Sequence, residues 1–258
     1  MTEGKGFVID RTIEIRAPRD TVFRYFTDSA RFAAWWGEGS AIDPRPGGKV
    51  RIRYPNGVVA SGEVVEIEPP LRIVFTYGYE GEGKPIPPGG SRVTIRLDPV
   101  EDGTAVALRH ESADAPASVG AEHVQGWRYQ MAVFANVVSR EAHAGAASWI
   151  DAFFSAWNET GDDARRRLLE QAATDDVRFG DAFSCAAGRD DLVAHLAAVQ
   201  RFMPGMTISR DGDVKECQGV AIAPWVARAA EGKERGRGTT VFGFAADGRI
   251  RTATAFWS

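Results

Sequence analysis

The chain has 258 residues, a length that favours two domains of modest size. Hydrophobic residues make up 44% and charged residues 26%, which is typical of a soluble protein. The sequence contains no run of about 18 apolar residues, so no membrane span is predicted. The net charge of −4 argues against a nucleic-acid-binding protein, which would need a basic face. The first residues lack the basic and apolar regions of a signal peptide, so we expect a cytoplasmic location.

The first half of the chain predicts a strand, two short helices, a series of strands and a long helix. FVIDRTIEI (7–15) alternates apolar and polar residues as a half-buried strand does, and 18–28 and 29–36 show helical spacing. Five strand patterns follow between residues 49 and 112, with turn residues between them. A long amphipathic helix is predicted at 117–143, because a sheet of this size needs its apolar face covered.

Two adjacent tryptophans end the second short helix, in RFAAWWGEG. Neighbouring helical positions point about 100° apart, so Trp35 and Trp36 cannot both face one apolar stripe. The second indole therefore needs a separate environment. A ligand cavity and a second packed surface are the two alternatives.

Residues 8–140 resemble the family named after the activator of the heat-shock-protein-90 ATPase, through APRDTVFRYFTD, FAAWWG, GEVVEIEPPLRIVFTY and EHVQGW. The resemblance implies a helix-grip domain, in which a curved antiparallel sheet surrounds a long C-terminal helix and leaves a tunnel between them. We then expect one of the two tryptophans to pack in the core and the other to line the tunnel. The patterns of the strands and the helix add Phe75, Tyr77, Trp127 and Met131 as candidate ligand-binding residues.

The small residues of AHAGAAS (142–148) suggest a domain boundary, which gives domains 1–143 and 144–258. After it, the patterns predict two helices, a short strand, a third helix that begins near Asp190, and four strands. The fold class is therefore α+β in both halves.

The second half, through its "AWN", "DVRFGD" and "GRDDLVAH" segments, is similar to the SnoaL-like polyketide cyclases. That family belongs to the superfamily of ketosteroid isomerase and nuclear transport factor 2. The resemblance implies a cone-shaped α+β domain with an internal cavity, and a homodimer through its outer sheet. Six aromatic residues are candidates for the apolar wall or the dimer face: Trp157, Phe179, Phe202, Trp225, Phe242 and Phe244.

Asp181 matches the general-base aspartate of the isomerases in that superfamily. The positions of their oxyanion donors hold Phe153, which cannot donate a hydrogen bond, and approximately Thr240, so chemistry of that specific kind is not expected. Asp181 and His195 remain as a candidate pair for proton transfer. The alternative is that Asp181 only fixes its own loop and that His195 is an ordinary helix residue.

The leading functional prediction is binding of small, mostly apolar ligands in one or both cavities, without a cofactor. An enzyme of cyclase or isomerase type that uses Asp181 and His195 is the alternative, and chaperone ATPase activation rests on the family name alone. No metal site is predicted, because His110, Glu111 and His123 lack a further ligand at a usable spacing. The two cysteines, Cys185 and Cys217, are expected to be buried.

Overall fold

The computed structural model describes residues 5–258, and the chain forms two compact units that divide after Val138. Both units combine helices with a mainly antiparallel sheet, so the predicted α+β class is confirmed. In the described part of the chain, no helix is long and apolar enough to cross a membrane. The two units are described separately below.

The sheet of the first unit contains seven strands within the described residues, all antiparallel to their neighbours. In spatial order they run β1-β7-β6-β5-β4-β3-β2. Their bounds are β1 Lys5–Ile15, β2 Ala41–Ile42, β3 Lys49–Arg53, β4 Val59–Glu68, β5 Arg72–Tyr77, β6 Ser91–Val100 and β7 Gly103–Pro116. Alternate residues of β6 and β7 are buried, which is the period of two that the sequence shows. The two-residue strand β2 is too short for a periodic signal, so the sequence does not predict it.

Three helices accompany this sheet in the described part of the unit: α1 Arg19–Arg24, α2 Ser29–Trp36 and α3 Ala117–Ala142. Helix α2 begins where the Asp28 side chain accepts a hydrogen bond from the Arg31 backbone N–H, at 2.9 Å. It ends at Gly37, whose φ of 137° favours glycine. A Cβ there would also clash with the Arg53 carbonyl oxygen. These local signals fix the positions of the two tryptophans at the end of the helix.

The second unit places its helices before most of its strands. Its helices are α4 Ala146–Asn158, α5 Asp162–Ala172 and α6 Arg189–Phe202. Its strands are β8 Ala173–Gly180, β9 Cys185–Ala187, β10 Thr207–Arg210, β11 Lys215–Cys217, β12 Val220–Arg228, β13 Glu234–Phe244 and β14 Ile250–Trp257. The sheet order is β10-β12-β13-β14-β8-β9, with β11 paired to β12 and with β14 parallel to β8. The segment 206–217, predicted as one strand, forms the two short strands β10 and β11.

The long helix α3 continues past the division between the units. It ends at Ala142, inside the second unit. His143 follows it and packs its ring 5.1 Å from the ring of Phe244. The boundary predicted after residue 143 rests on the change in composition. In the structure the last residues of α3 group with the second unit, so the division falls after Val138.

Both cysteines differ from the sequence-based expectation. Cys185 and Cys217 are exposed and form no disulfide. They begin β9 and end β11, respectively. The outward positions of these short strands, rather than a preference of the thiol, decide their exposure.

Candidate functional site

The first unit contains a cavity of about 390 Å³ beside helix α3. We call it the N-terminal cavity, and its principal lining residues are Trp36, Tyr54, Tyr77, Tyr79, His123 and Trp127. On α3 the lining positions include Val119, His123, Trp127 and Gln130, which recur at spacings of three and four. One face of the long helix therefore forms a wall of the cavity.

The two adjacent tryptophans have different environments although both are buried. Trp35 packs its ring 4.7 Å from Phe134 and 5.8 Å from Phe26, and it is not part of the cavity wall. Trp36 lines the cavity and packs 5.5 Å from Trp127. The structure thus places one indole in the core and the other in the cavity wall.

Of the other candidates in this half, Tyr77 and Trp127 line the cavity, but Phe75 and Met131 do not. Phe75 is fully buried on β5 and Met131 is nearly so, and both are core residues. Met131 lies four residues after Trp127, on the same face of α3, but one turn further along the helix that face meets packed side chains instead of the cavity. These two assignments are therefore corrected from the cavity wall to the core.

His110 lies behind the cavity wall in a hydrogen-bond chain that fixes its proton. Its Nδ1 is 2.9 Å from the indole nitrogen of Trp127, which can only donate. Its Nε2 is 2.8 Å from Ser91 Oγ, which itself donates to the Tyr77 carbonyl, so Nε2 carries the proton. Burial, with a smaller effect of His123, lowers the pKa of His110 to about 3. His110 is therefore neutral.

The polar lining of the N-terminal cavity combines tyrosine hydroxyl groups with Asn56, Lys84, Glu122, His123 and Gln130. The hydroxyl oxygens of Tyr54 and Tyr77 are 2.8 Å apart, and that of Tyr79 is 3.1 Å from His123 Nε2. Burial raises the pKa of both Tyr54 and Tyr77, so these phenols keep their protons. Sequence reasoning missed Tyr54 and Tyr79. Tyr79 lies two residues after Tyr77, a spacing that places both side chains on one face of a strand.

The second unit contains a cavity of about 380 Å³ with a mostly aromatic wall, which we call the C-terminal cavity. Three predicted wall residues line it: Trp157, Phe179 and Trp225. Phe242 and Phe244 are buried core residues outside its wall, so they belong neither to the cavity nor to an exposed dimer face. Phe153 and Thr240, the positions equated with the isomerase oxyanion donors, line it as well. Its polar side chains in the described residues are Asp181, Ser184, His195 and Thr240.

Phe202 is a correction, because its side chain is 81% exposed and lies outside the cavity wall. Val199 in the last turn of α6 and Met203, the residue that follows the helix, line the cavity instead. Phe202 precedes Met203 and points about 100° away from it. Its place in the last turn, beyond the packed part of the helix, explains why the apolar pattern alone misassigned it.

Asp181 and His195 both line the C-terminal cavity, and Ser184 connects them. Asp181 Oδ1 accepts hydrogen bonds from the backbone N–H of Phe183 and of Ser184 and from Ser184 Oγ, at 2.7–2.9 Å. Ser184 Oγ is 3.3 Å from His195 Nε2. Because the serine proton goes to Asp181, the imidazole Nε2 is the donor in that contact. Ser184 was not predicted as a site residue, although Asp-x-x-Ser is a common pattern in which the two side chains close a loop by hydrogen bonds.

Two indole N–H groups of the C-terminal cavity residues have no acceptor among the described residues. They belong to Trp157 and Trp225, and both nitrogen atoms are buried. Leaving a buried donor unpaired costs roughly 1–3 kcal/mol. The indole nitrogen of Trp36 in the N-terminal cavity is in the same state.

Residues 5–258 contain no cluster of three or more histidine, cysteine, aspartate or glutamate side chains that could hold a metal ion. His110 and His123 have ring centroids 5.2 Å apart, but their nitrogens bond to Trp127, Ser91, Val119 and Tyr79. The two histidines therefore serve the hydrogen-bond network of the N-terminal cavity.

Residues 16–139 match the family described as Activator of Hsp90 ATPase homolog 1-like protein. The resemblance predicted for the first half is confirmed. A comparison with curated proteins gives no match.

Similar solved structures include members of both predicted families. A SnoaL-like family protein from Agrobacterium tumefaciens str. C58 is 23% identical, with 46% of this chain and 98% of that chain covered and a TM-score of 0.42. An AHSA1-like protein from Rhizobium etli is 27% identical over 54% of this chain and 87% of that one, with a TM-score of 0.41. The Aha1 dimer from Colwellia psychrerythraea is 18% identical over 48% and 90%, with a TM-score of 0.41.

Proposed function

We propose that the protein binds small, mostly apolar ligands, one in each of its two cavities, in the cytoplasm. The observation that carries the proposal is the C-terminal cavity, a space of about 380 Å³ inside an aromatic wall. Ligand pockets of proteins are commonly 300–1,000 Å³, roughly, and are mostly apolar with a few placed polar groups. The N-terminal cavity, at about 390 Å³, has a comparable size.

The proposed ligand class rests on the unpaired indole N–H groups of the cavity-wall residues. The indoles of Trp36, Trp157 and Trp225 are donors without acceptors among the described residues. An indole N–H can only donate, so a ligand satisfies it with an oxygen acceptor. Each such bond recovers part of the unfavourable free energy of a buried unpaired donor. We therefore propose a small ring system that carries a carbonyl oxygen as the ligand class.

The test is calorimetric titration of the full chain with 1-indanone, a bicyclic apolar ketone. We expect two molecules bound per chain in the wild type. Ala255 lines the C-terminal cavity, and Ala255→Phe fills part of that space. Gly126 lines the N-terminal cavity, and a Cβ there would meet no atom within 4 Å, so Gly126→Phe introduces a ring beside its opening. Each substitution is expected to remove one bound molecule.

Gly126→Ala is the matched control, because it adds only the Cβ and leaves the cavity open. It should keep both bound molecules. It should also raise the free energy of unfolding by roughly 0.5–1 kcal/mol, since glycine is unfavourable inside a helix. Unchanged binding of 1-indanone in both phenylalanine variants would contradict the proposal, and so would a wild type that binds none.

Proton transfer in the C-terminal cavity is the second candidate function. The bridge from Asp181 through Ser184 Oγ to His195 Nε2 favours it. The three hydrogen bonds that Asp181 Oδ1 accepts argue against proton transfer at that atom, because they hold the oxygen in the loop. Only Asp181 Oδ2, at 3.4 Å from the Trp257 indole nitrogen, is left to meet a ligand.

A homodimer through the outer face of the second sheet also remains a proposal. Ile222 is aligned with Val241 across β12 and β13, and Thr239 with Phe256 across β13 and β14, so these side chains share one face. Ile222 is 40% and Phe256 58% exposed. We expect sedimentation equilibrium to give twice the chain mass of 28.0 kDa, and Phe256→Glu to reduce it to the mass of one chain. A wild type that sediments as one chain would contradict the dimer.

A further inference from the structure

The contact between His123 and Tyr79 has a fixed direction of hydrogen bonding. His123 Nδ1 is 2.8 Å from the backbone carbonyl oxygen of Val119, which can only accept, so Nδ1 carries the ring proton. In the tautomer with the proton on Nδ1, Nε2 is an acceptor, and the Tyr79 hydroxyl donates to it at 3.1 Å. The lone pairs of Tyr79 Oη are then available to a ligand. The imidazole of His123 is placed to accept the phenolic proton of Tyr79.

Donors without a partner lie along the same cavity wall. Tyr77 has both Tyr54 and Tyr79 as hydrogen-bond neighbours, and when Tyr77 donates to Tyr54 the Tyr54 proton is left for a ligand. The Trp36 indole N–H has no acceptor among the described residues, and its ring lies 5.8 Å from that of Tyr54. Tyr77 lies between Tyr54 and Tyr79: its hydroxyl contacts that of Tyr54, and its ring is 5.4 Å from the ring of Tyr79. The wall thus combines hydrogen-bond donors with a proton acceptor.

We propose that the N-terminal cavity is a proton-transfer site for small enolisable ketones, with Tyr79 as its catalytic residue and His123 as the positioning residue behind it. The proposal rests on the proposed binding of such ketones in this cavity. The α-carbon proton of the ketone passes to Tyr79 Oη while the phenolic proton of Tyr79 passes to His123 Nε2. The C–H electron pair becomes the C=C bond of an enolate. Its oxygen accepts a hydrogen bond from the Tyr54 hydroxyl.

The reverse transfer returns a proton to carbon, so the step needs no co-reactant. Neighbouring His110 is not the acceptor, because both its nitrogens are already bonded to Trp127 and Ser91. The backbone holds Tyr79 in place: its N–H donates to the carbonyl of fully buried Ile86 at 2.8 Å. Catalytic side chains need such rigid support to keep their geometry.

The test follows hydrogen–deuterium exchange at the α-carbon of 1-indanone in heavy water, by proton NMR, with the full chain present. We expect the wild type to accelerate the exchange and Tyr79→Phe to lower the enzyme-dependent rate by about 100-fold or more, the usual range for a lost acid–base group. His123→Gln should lower kcat with little change in KM, which a merely structural role would not produce. Tyr129→Phe is the matched control, because Tyr129 lies on the same helix and is 71% exposed.

Three outcomes would overturn the proposal. They are a wild type that binds 1-indanone without accelerating exchange, a Tyr79→Phe variant that binds and exchanges as the wild type does, and exchange that depends on Asp181 rather than on Tyr79. Calorimetry on the same samples separates the two proposals. Binding without exchange contradicts only proton transfer, whereas absence of binding in the N-terminal cavity contradicts both.

Discussion

Trp35→Ala is expected to lower the free energy of unfolding of the N-terminal unit by about 3–5 kcal/mol, the range for deleting a buried tryptophan. Trp35 is 4% exposed, and its ring packs against Phe26, Phe32, Trp36 and Phe134. The loss is a large fraction of the roughly 5–15 kcal/mol that stabilises a typical domain. Native-state hydrogen exchange measured by mass spectrometry reports the two units separately and gives this value directly.

Trp36→Ala is the matched comparison, since the two residues are neighbours on α2 and differ in their relation to the cavity. We expect a smaller loss of stability for Trp36→Ala, because part of its surface faces the cavity rather than packed atoms. We also expect weaker binding of 1-indanone in the N-terminal cavity. Equal stability losses in the two variants, together with unchanged affinity, would mean that both indoles are ordinary core residues.

Acid should destabilise the N-terminal unit through His110. The pKa of this buried histidine is lowered from its ordinary value of 6.5 to about 3, so below about pH 6.5 the unfolded chain binds a proton that the folded chain does not. The stabilisation by the neutral ring is complete above pH 6.5 and is lost as the pH falls toward 3. The loss is about 1.4 kcal/mol per pH unit, or about 2 kcal/mol at pH 5.

His110→Gln isolates this contribution, because an amide can accept from Trp127 and donate to Ser91 but does not titrate in this range. The variant and the wild type share every other titratable group. Hydrogen exchange of β6 and β7 between pH 7 and pH 5 should therefore show about 2 kcal/mol less destabilisation in the variant than in the wild type. The same pH dependence in both proteins would show that His110 is not held neutral by the fold.

The order of the elements could be predicted from the sequence where periodic patterns are long. The alternation in β1 and the spacing along α3 are of this kind, and both elements form as predicted. Short elements fail for a physical reason, since two or three residues contain no period. Strand β2 and the division of residues 206–217 into two strands depend on pairing with distant strands.

The cavity walls were harder to predict than the elements that form them. An apolar residue on the inner face of a helix or strand looks the same in sequence whether it meets packed atoms or a cavity. Phe75 and Met131 pack in the core, whereas Tyr77 and Trp127 on the same elements line the cavity. For Tyr79, the spacing of two from Tyr77 indicates a shared face, but its contact with His123 depends on how the fold brings the end of β5 against α3.

The most direct measurement is a crystal structure of the full chain under xenon pressure, because xenon enters empty apolar cavities. A hollow C-terminal chamber predicts xenon density between Phe153, Trp157 and Trp225. Side chains that occupy this volume in the crystal, with no xenon bound, would contradict the existence of a chamber for a small molecule.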